Sequence, residues 1–358
     1  MDEVSSRLER ALHGIIADRV AAFETLGSDA AHYAAIAAEF VLAGGKRLRP
    51  QFAFWGWRAA VPPGAAGEEA MLDAACSLEL LHASALAHDD LIDASDSRRG
   101  RPATHVLFAA MAAQRGWPGD AARFGAAGAI LVGDLLLSWA DSTFAAAQPS
   151  FTPDSATASR AMFDALHREV MVGQYLDVLE QARGEFSLEA AQRVVLLKTA
   201  KYTAERPLLI GAASAGAPSA TLDALSRYGV AVGEAFQLRD DLLGVFGDPA
   251  MTGKPAGDDL REGKRTVLVA LAMRAADEPG RALLRAGLGV RELDESAIEA
   301  LRAVLVDSGA AEAVETMIGD RLAEGLRAVA EGADAGLLRP DAAAALTALA
   351  RASADRVS

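Results

Sequence analysis

Apolar residues recur at i, i+3, i+4 and i+7 along most of the chain, in stretches of about 15 to 30 residues. That spacing is the one-face repeat of an α-helix. The repeat is broken at Pro62-Pro63-Gly64, at residues 115–120, at 148–155 and at 216–219, where Gly, Pro and small polar residues cluster. Between the breaks, residues 72–92 and 221–245 read as long helices, and in the first Leu78, Leu81, Ala85 and Ile92 fall near one stripe. Strand-type alternation bounded by turns is absent, and so are a βαβ unit, a G-x-G-x-x-G fingerprint and a P-loop. The pattern predicts an all-α fold. The most hydrophobic window, 124–140, contains Asp134 and is too short to span a membrane, so it is expected to be a buried core helix.

Composition narrows the function. Of 358 residues, 51% are hydrophobic and 23% charged, which excludes a disordered chain and a disulfide scaffold. Acidic residues outnumber basic ones, 49 to 35, giving a net charge of −14 and arguing against a nucleic-acid partner. The single cysteine, Cys76, forms no intrachain disulfide and has apolar flanks, so a small core residue in a reducing, cytoplasmic setting is expected. The opening Met1-Asp2-Glu3 has no basic, then apolar, leader pattern.

Charge collects at two helix ends. The first is His88-Asp89-Asp90-Leu91-Ile92-Asp93, closing the 72–92 helix. Asp89 and Asp93 stand at i and i+4, about 5 to 6 Å apart at Cβ. Carboxylates there oppose both each other and the negative end of the helix dipole. Hard divalent cations would remove that cost, and magnesium prefers a few carboxylates completed by water and phosphate. The second end is Gln237-Leu238-Arg239-Asp240-Asp241, followed by Leu242-Leu243-Gly244 and by Asp248. Helices that neighbour each other in a bundle can face such pairs across a cavity.

The minority cations lie beside these ends. Gly44-Gly45-Lys46-Arg47-Leu48-Arg49 stands at a helix boundary, Arg98-Arg99-Gly100-Arg101 follows the first aspartates, and Lys198-Thr199-Ala200-Lys201 lies on a later helix. Lys254 and Lys264 fall in a stretch, 246–264, with four glycines, two prolines and no helical pattern, read as a functional lid. Arg forks and Lys ammonium groups beside aspartates suit phosphate oxygens. His82 and His88 share the first aspartate helix; a core role is expected for a lone helical histidine, and His88 adjoins Asp89 and can orient it. Neither a nucleophile elbow nor a Cys–His pair occurs, so covalent catalysis has no candidate.

The segments GGKRLRP, LLHASALAHDDLIDASDSRRGRPATH, LLKTAKYTAERPL and FQLRDDLLGVFGDPAMTGKPAGDDLREGKRT, in this order, resemble the trans-isoprenyl diphosphate synthases, the polyprenyl synthetase family. The likeness runs from about residue 40 to 270. It implies a single helical domain over 1–358 with a central cavity, usually a homodimer without a membrane span, condensing isopentenyl diphosphate with an allylic diphosphate on Mg2+, with two or three ions. Residue by residue, it implies Asp89, Asp93 and Asp240 as metal ligands with Asp241 supporting. The expected catalytic set is Asp89, Asp90, Asp93, Asp240, Asp241 and Lys198. Arg98, Lys198, Thr199, Gln237, Lys254 and Lys264 are expected at the allylic diphosphate. Lys46, Arg49, His82 and Arg99 are expected at isopentenyl diphosphate. Ser84, Ala85 and Leu81, on the helix before Asp89, are expected to set product length. The small Ser84 and Ala85 point beyond fifteen carbons, to geranylgeranyl diphosphate.

The second motif departs from DDxxD: Gly244 stands where many members carry aspartate, and Asp248 is the substitute the sequence offers. A class I terpene cyclase would need a hydroxyl in its second motif, and none stands among Asp240, Gly244 and Asp248. A non-catalytic regulatory subunit would be expected to have lost the aspartates, and they are present.

Overall fold

The computed structural model describes residues 2–248 and 257–354. Its helices are α1 (Asp2–Glu24), α2 (Ser28–Leu42), α3 (Leu48–Ala60), α4 (Glu68–Ile92), α5 (Thr104–Gln114), α6 (Ala121–Ala147) and α7 (Pro153–Arg183). Then come α8 (Leu188–Val194), a π-wound segment (Val195–Glu205), α9 (Arg206–Ser214) and α10 (Ser219–Phe246). After the undescribed stretch follow α11 (Asp258–Glu262), α12 (Val267–Ala275), α13 (Glu278–Gly287), α14 (Glu295–Asp307), α15 (Ala310–Asp334) and α16 (Pro340–Ala354). The all-α expectation holds. Among the described residues the strands are confined to a minimal hairpin, β1 (Ser97–Arg98) against β2 (Arg101–Pro102).

By contacts the chain forms two compact units, the first comprising the chain up to Phe54 with Pro63–Ala156, the second Trp55–Pro62 with the chain from Thr157 on. In the first, α4 packs against α1, α2, α5 and α6. Its core holds Leu8, Leu12, Met71, Leu72, Leu78, Leu80, Leu136 and Phe144, all at most 2% exposed. Each such burial contributes roughly 1.5–3 kcal/mol. Cys76 lies in this core, as its flanks predict. α6 is capped by Asp120, whose carboxylate accepts from the backbone N–H groups of Ala122 and Arg123.

α6 corrects the expectation of a buried core helix. It presents small residues inward, so that a Cβ on Gly128 would sit 2.5 Å from the Phe108 ring. Its outer face leaves Ile130 47% and Leu131 55% exposed. α4 and α6 both have the length and apolar composition of a membrane span, but 72% of the α4 window is buried, as befits a core helix, against 33% for α6. Ile92 is exposed as well, so the α4 stripe ends before it.

In the second unit α10 packs on the π-wound segment, α9, α11, α12, α15 and α16. Contact with the π-wound segment is backbone to backbone: a Cβ on Gly233 would lie 2.5 Å from Ala200 Cα. Beyond it, Leu238, Leu242 and Val245 share a core with Leu260, Val267, Leu268, Leu284, Ile298 and Leu305. Two predicted loops are shorter than expected. α7 begins at Pro153, and the end of the 246–264 stretch forms α11, stopped by Gly263 at φ 74°. Residues 249–256 of that stretch, with Lys254, lie outside the described residues.

Candidate active site

The end of α4 is built as a Schellman motif. Ser95 N–H donates to Asp90 C=O at 2.9 Å and Ala94 N–H to Leu91 C=O at 3.3 Å, with Ala94 at φ 50°. Asp93 N–H still donates to Asp89 C=O at 2.8 Å, so the two side chains keep helical phase and stack one above the other. Asp90 turns inward and is fully buried, where Arg98 donates to its Oδ1 from both Nε, at 2.8 Å, and Nη2. The same Nη2 lies 4.0 Å from Asp89 Oδ2. Asp90, expected in the catalytic set, is thus held as the anchor of Arg98, and Arg98, expected at the allylic diphosphate, is held by Asp90. Arg98 is fixed by the hairpin, whose turn residues Arg99 and Gly100 both have positive φ, 54° and 72°. Two positive values suit a type I′ turn, although an arginine there is strained.

The basic turn before α3 meets this hairpin. Gly44 and Gly45 take φ of 91° and 139°, and the Arg99 guanidinium donates to Gly44 C=O. A Cβ on Gly45 would lie 2.9 Å from Arg99 Nη2 and push the guanidinium aside, and the φ of 139° itself favours glycine. Arg47 turns into the protein, donating to Glu9 Oε1 at 2.8 Å and Glu79 Oε1 at 2.6 Å, and works as a post under the turn. Enclosure by the protein, then the charges of Arg49 and Arg99, hold the His82 imidazole well below the usual histidine range. His82, Arg49 and Arg99 therefore share one positive neighbourhood, with Lys46 on the turn that leads into the first residues of α3, where Arg49 stands. His88 corrects its expected role. Its ring turns toward α6, with Nε2 3.1 Å from Ile130 C=O and 3.7 Å from Asp134, in space that a Cβ on Gly133 would fill.

In the second unit the π-wound segment presents Lys198 and Thr199, at the kind of irregularity often found at functional sites. Lys198 Nζ donates to Asp177 Oδ2 on α7 at 2.6 Å. Thr199 hydroxyl donates to Gln237 Oε1, and Gln237 Nε2 donates in turn to Asp241 Oδ1 at 2.6 Å. This relay fixes the amide and the carboxylate together. Burial, the largest influence, pushes the Asp241 carboxyl well above the usual carboxylate range. The Gln237 bond opposes it, and the charges of Asp259 and Asp240 add to it. Lys264 sits 2.8 Å from Glu262 and 3.4 Å from Asp259.

Sequence reasoning missed Asp177 and Asp259. The signal for Asp177 was a polar pair, Gln174 and Asp177, at i and i+3 in an otherwise mixed helix. The chain-length candidates are packed: Ser84 and Leu81 are each 3% exposed, with Ala85 part-buried. The donor chemistry fits Mg2+, which takes carboxylate oxygens and keeps waters or phosphate oxygens for the rest of its shell. Among the described residues no group of three or more His, Cys, Asp or Glu already stands close enough to enclose an ion.

The sequence profile of the Polyprenyl synthetase family matches residues 30–305. A geranylfarnesyl diphosphate synthase of Aeropyrum pernix is 33% identical over 277 residues, 77% of this chain and 80% of that protein. A (2E,6E)-farnesyl diphosphate synthase of Mycobacterium tuberculosis is 36% identical over 67% of this chain and 60% of its own length. Among solved structures, a geranylgeranyl pyrophosphate synthase from Corynebacterium glutamicum, complexed with isoprenyl diphosphate and magnesium, aligns over 100% of this chain and 99% of its own. Its TM-score is 0.94 and its identity 38%. A polyprenyl synthase from Caulobacter crescentus, complexed with calcium and isoprenyl diphosphate, aligns at TM-score 0.77 and 28% identity over 99% and 98%. Two aspartate-tipped helices, an arginine-lined turn and these likenesses converge: the chain belongs to the polyprenyl synthetase family, the magnesium-dependent trans-prenyl diphosphate synthases of isoprenoid biosynthesis.

Proposed function

We propose that the chain extends an allylic diphosphate with isopentenyl diphosphate to geranylgeranyl diphosphate. It does so as a cytoplasmic homodimer of single-domain subunits. Lys46, Arg49, His82 and Arg99 bind isopentenyl diphosphate. Arg98, Lys198, Thr199, Gln237, Lys254 and Lys264 bind the allylic diphosphate. Asp89, Asp93 and Asp240 are the ligands for two or three Mg2+ ions. The observation that carries the reading is the gathering of Arg49 and Arg99 about His82, with Arg99 seated on the Gly44 carbonyl. A neutral imidazole near guanidinium groups adds a hydrogen-bond donor without repelling them, which suits a bound diphosphate.

Bound magnesium supplies Lewis-acid neutralisation of the departing pyrophosphate. The protein's part is positioning and electrostatics. Lys198, held by Asp177, and Lys264, held by Glu262, are cations pre-oriented by carboxylates that give way to a stronger phosphate acceptor. The carbon–oxygen bond of the allylic diphosphate breaks and leaves an allylic cation. The double bond of isopentenyl diphosphate attacks it, and the proton lost from the adjacent carbon passes to the released pyrophosphate. Small side chains at Ser84 and Ala85, with Leu81 deeper, leave the tail room to pass fifteen carbons. The exposed apolar face of α5 and α6, with Leu107, Ile130 and Leu131, supports a subunit contact.

The test is elongation with labelled isopentenyl diphosphate, Mg2+ and C5, C10 or C15 primers, with products sized by chromatography. A C20 product is expected. Ser84→Phe is expected to shorten it to C15; an unchanged distribution rejects Ser84 as the gate, and a wild-type product ending at C15 or at C25 rejects the geranylgeranyl assignment.

A further inference from the structure

We infer that Asp259 is the missing carboxylate of the second aspartate cluster: it fills the place left by Gly244 and joins Asp240 in holding Mg2+. This rests on the magnesium reading above and names a ligand beyond it.

Gly244 stands at i+4 from Asp240 on α10, the position from which a side chain would share its face. No side chain can stand there. A Cβ built on Gly244 lies 1.9 Å from Asp259 Oδ2 and 2.5 Å from its Cγ. The volume is already taken, by a carboxylate that arrives from another element. Positions i and i+4 on a helix stand about 5 to 6 Å apart at Cβ, so a carboxylate lodged at the Gly244 position is on the Asp240 face and within the reach of one ion held between two short acidic side chains.

The placement has identifiable causes. α11 is flanked by glycines in the left-handed region, Gly257 at φ 76° before it and Gly263 at φ 74° after it. Lys264 N–H donates to Asp259 C=O at 3.0 Å, and Gly289 N–H to Leu260 C=O at 2.9 Å. Leu260, the neighbour of Asp259, is fully buried in the core shared with α10. Asp259 is therefore aimed at α10 by the hydrophobic packing of the next residue. Electrostatics alone would direct it elsewhere, since it adds its charge to that of Asp240 beside the buried Asp241, with Lys264 at 3.4 Å shared with Glu262. Three carboxylates over one helix turn are unfavourable in the empty protein and favourable around a divalent cation. Asp248, the substitute suggested by the sequence, is exposed and lies beyond the end of α10.

The experiment is a Mg2+ titration with inorganic pyrophosphate at fixed concentration, read as thermal stabilisation and by calorimetry, on wild type, Asp259→Asn, Asp259→Ala and the double variant Gly244→Asp/Asp259→Ala. Wild type is expected to be stabilised by Mg2+ with pyrophosphate. Asp259→Asn and Asp259→Ala are expected to need about tenfold more Mg2+ or higher. The double variant, which moves the carboxylate onto α10 in the space vacated, is expected to return to within about threefold of wild type; a purely structural Asp259 would not be rescued that way. Titration of Asp259→Asn at the wild-type Mg2+ concentration overturns the inference, as does a folded double variant no better than Asp259→Ala. Should the double variant not fold, by circular dichroism, the isosteric Asn variant decides. A wild-type protein that ignores Mg2+ with pyrophosphate rejects the magnesium reading itself, a different result from a wild type that responds and an Asn variant that matches it.

Discussion

The two aspartate-tipped helices solve one electrostatic problem in different ways. At the end of α4, the second aspartate of the pair, Asp90, is buried and neutralised inside the protein by Arg98. At the end of α10, the corresponding Asp241 is also buried, yet its direct partner is a neutral amide, Gln237, and more carboxylates stand near it. At the first end the fold itself balances the inner aspartate and leaves Asp89 and Asp93 to the ligand. At the second the nearby cation, Lys264, is shared with Glu262 and Asp259, and a bound cation would balance the inner aspartate as well. A carboxylate pair in sequence therefore says where charge accumulates, and the partner of its second member says whether the fold or the ligand balances it.

The sharpest way to break this comparison is to remove the outer carboxylates. Asp89→Ala and Asp240→Ala are each expected to lower kcat by about 10³-fold or more with unchanged helical content, measured by product formation and circular dichroism. Retained turnover in either would show that its helix end does not serve the reaction. Next in size is the inner pair. Asp90→Ala leaves Arg98 without its buried carboxylate and is expected to cost roughly 3–5 kcal/mol in denaturant unfolding. Asp241→Asn keeps the shape and the Gln237 contact and is expected to cost far less; equal losses would erase the distinction drawn here.

A pH test follows. His82 stays neutral in the folded protein because enclosure and Arg49, Arg99, Arg98 and Arg47 all disfavour its charge. In the unfolded chain it takes up a proton below about pH 6.5. The unfolded state then binds more protons, so this contribution to stability is present above that pH and is lost as pH falls, with a limiting slope of about 1.4 kcal/mol per pH unit. His82→Gln is expected to flatten the stability profile between pH 7 and 5.5. The smallest effect concerns the turn of α4: Ala94→Gly relieves a left-handed alanine and is expected to gain up to about 1 kcal/mol, leaving the α10 end untouched.

Much of this was legible in the chain. The long helices follow from apolar spacing, and α4 and α10 close within a few residues of where that spacing stops. The aspartates and cations declared themselves because they are rare partners in an acidic protein. What stayed hidden depends on contacts distant in sequence. Nothing near Lys198 announces Asp177 on another helix, and nothing near Gly244 announces Asp259, carried by a helix too short to show a repeat. The orientation of His88 depends on the absence of a side chain at Gly133. For α6, the apolar window counted residues correctly but could not say that glycines face inward while Ile130 and Leu131 face out.

The π-wound stretch from Val195 to Glu205 has a consequence for anyone trimming this chain. A π-helix holds more residues per turn than an α-helix, so the bearing of Lys198 toward Asp177 is set by how many residues the stretch contains. Deleting a single residue there would let the coil tighten while α8 and α9 survive, and would swing the ammonium group around the axis, away from its carboxylate. A protein so altered would look healthy by spectroscopy and be disarmed by geometry.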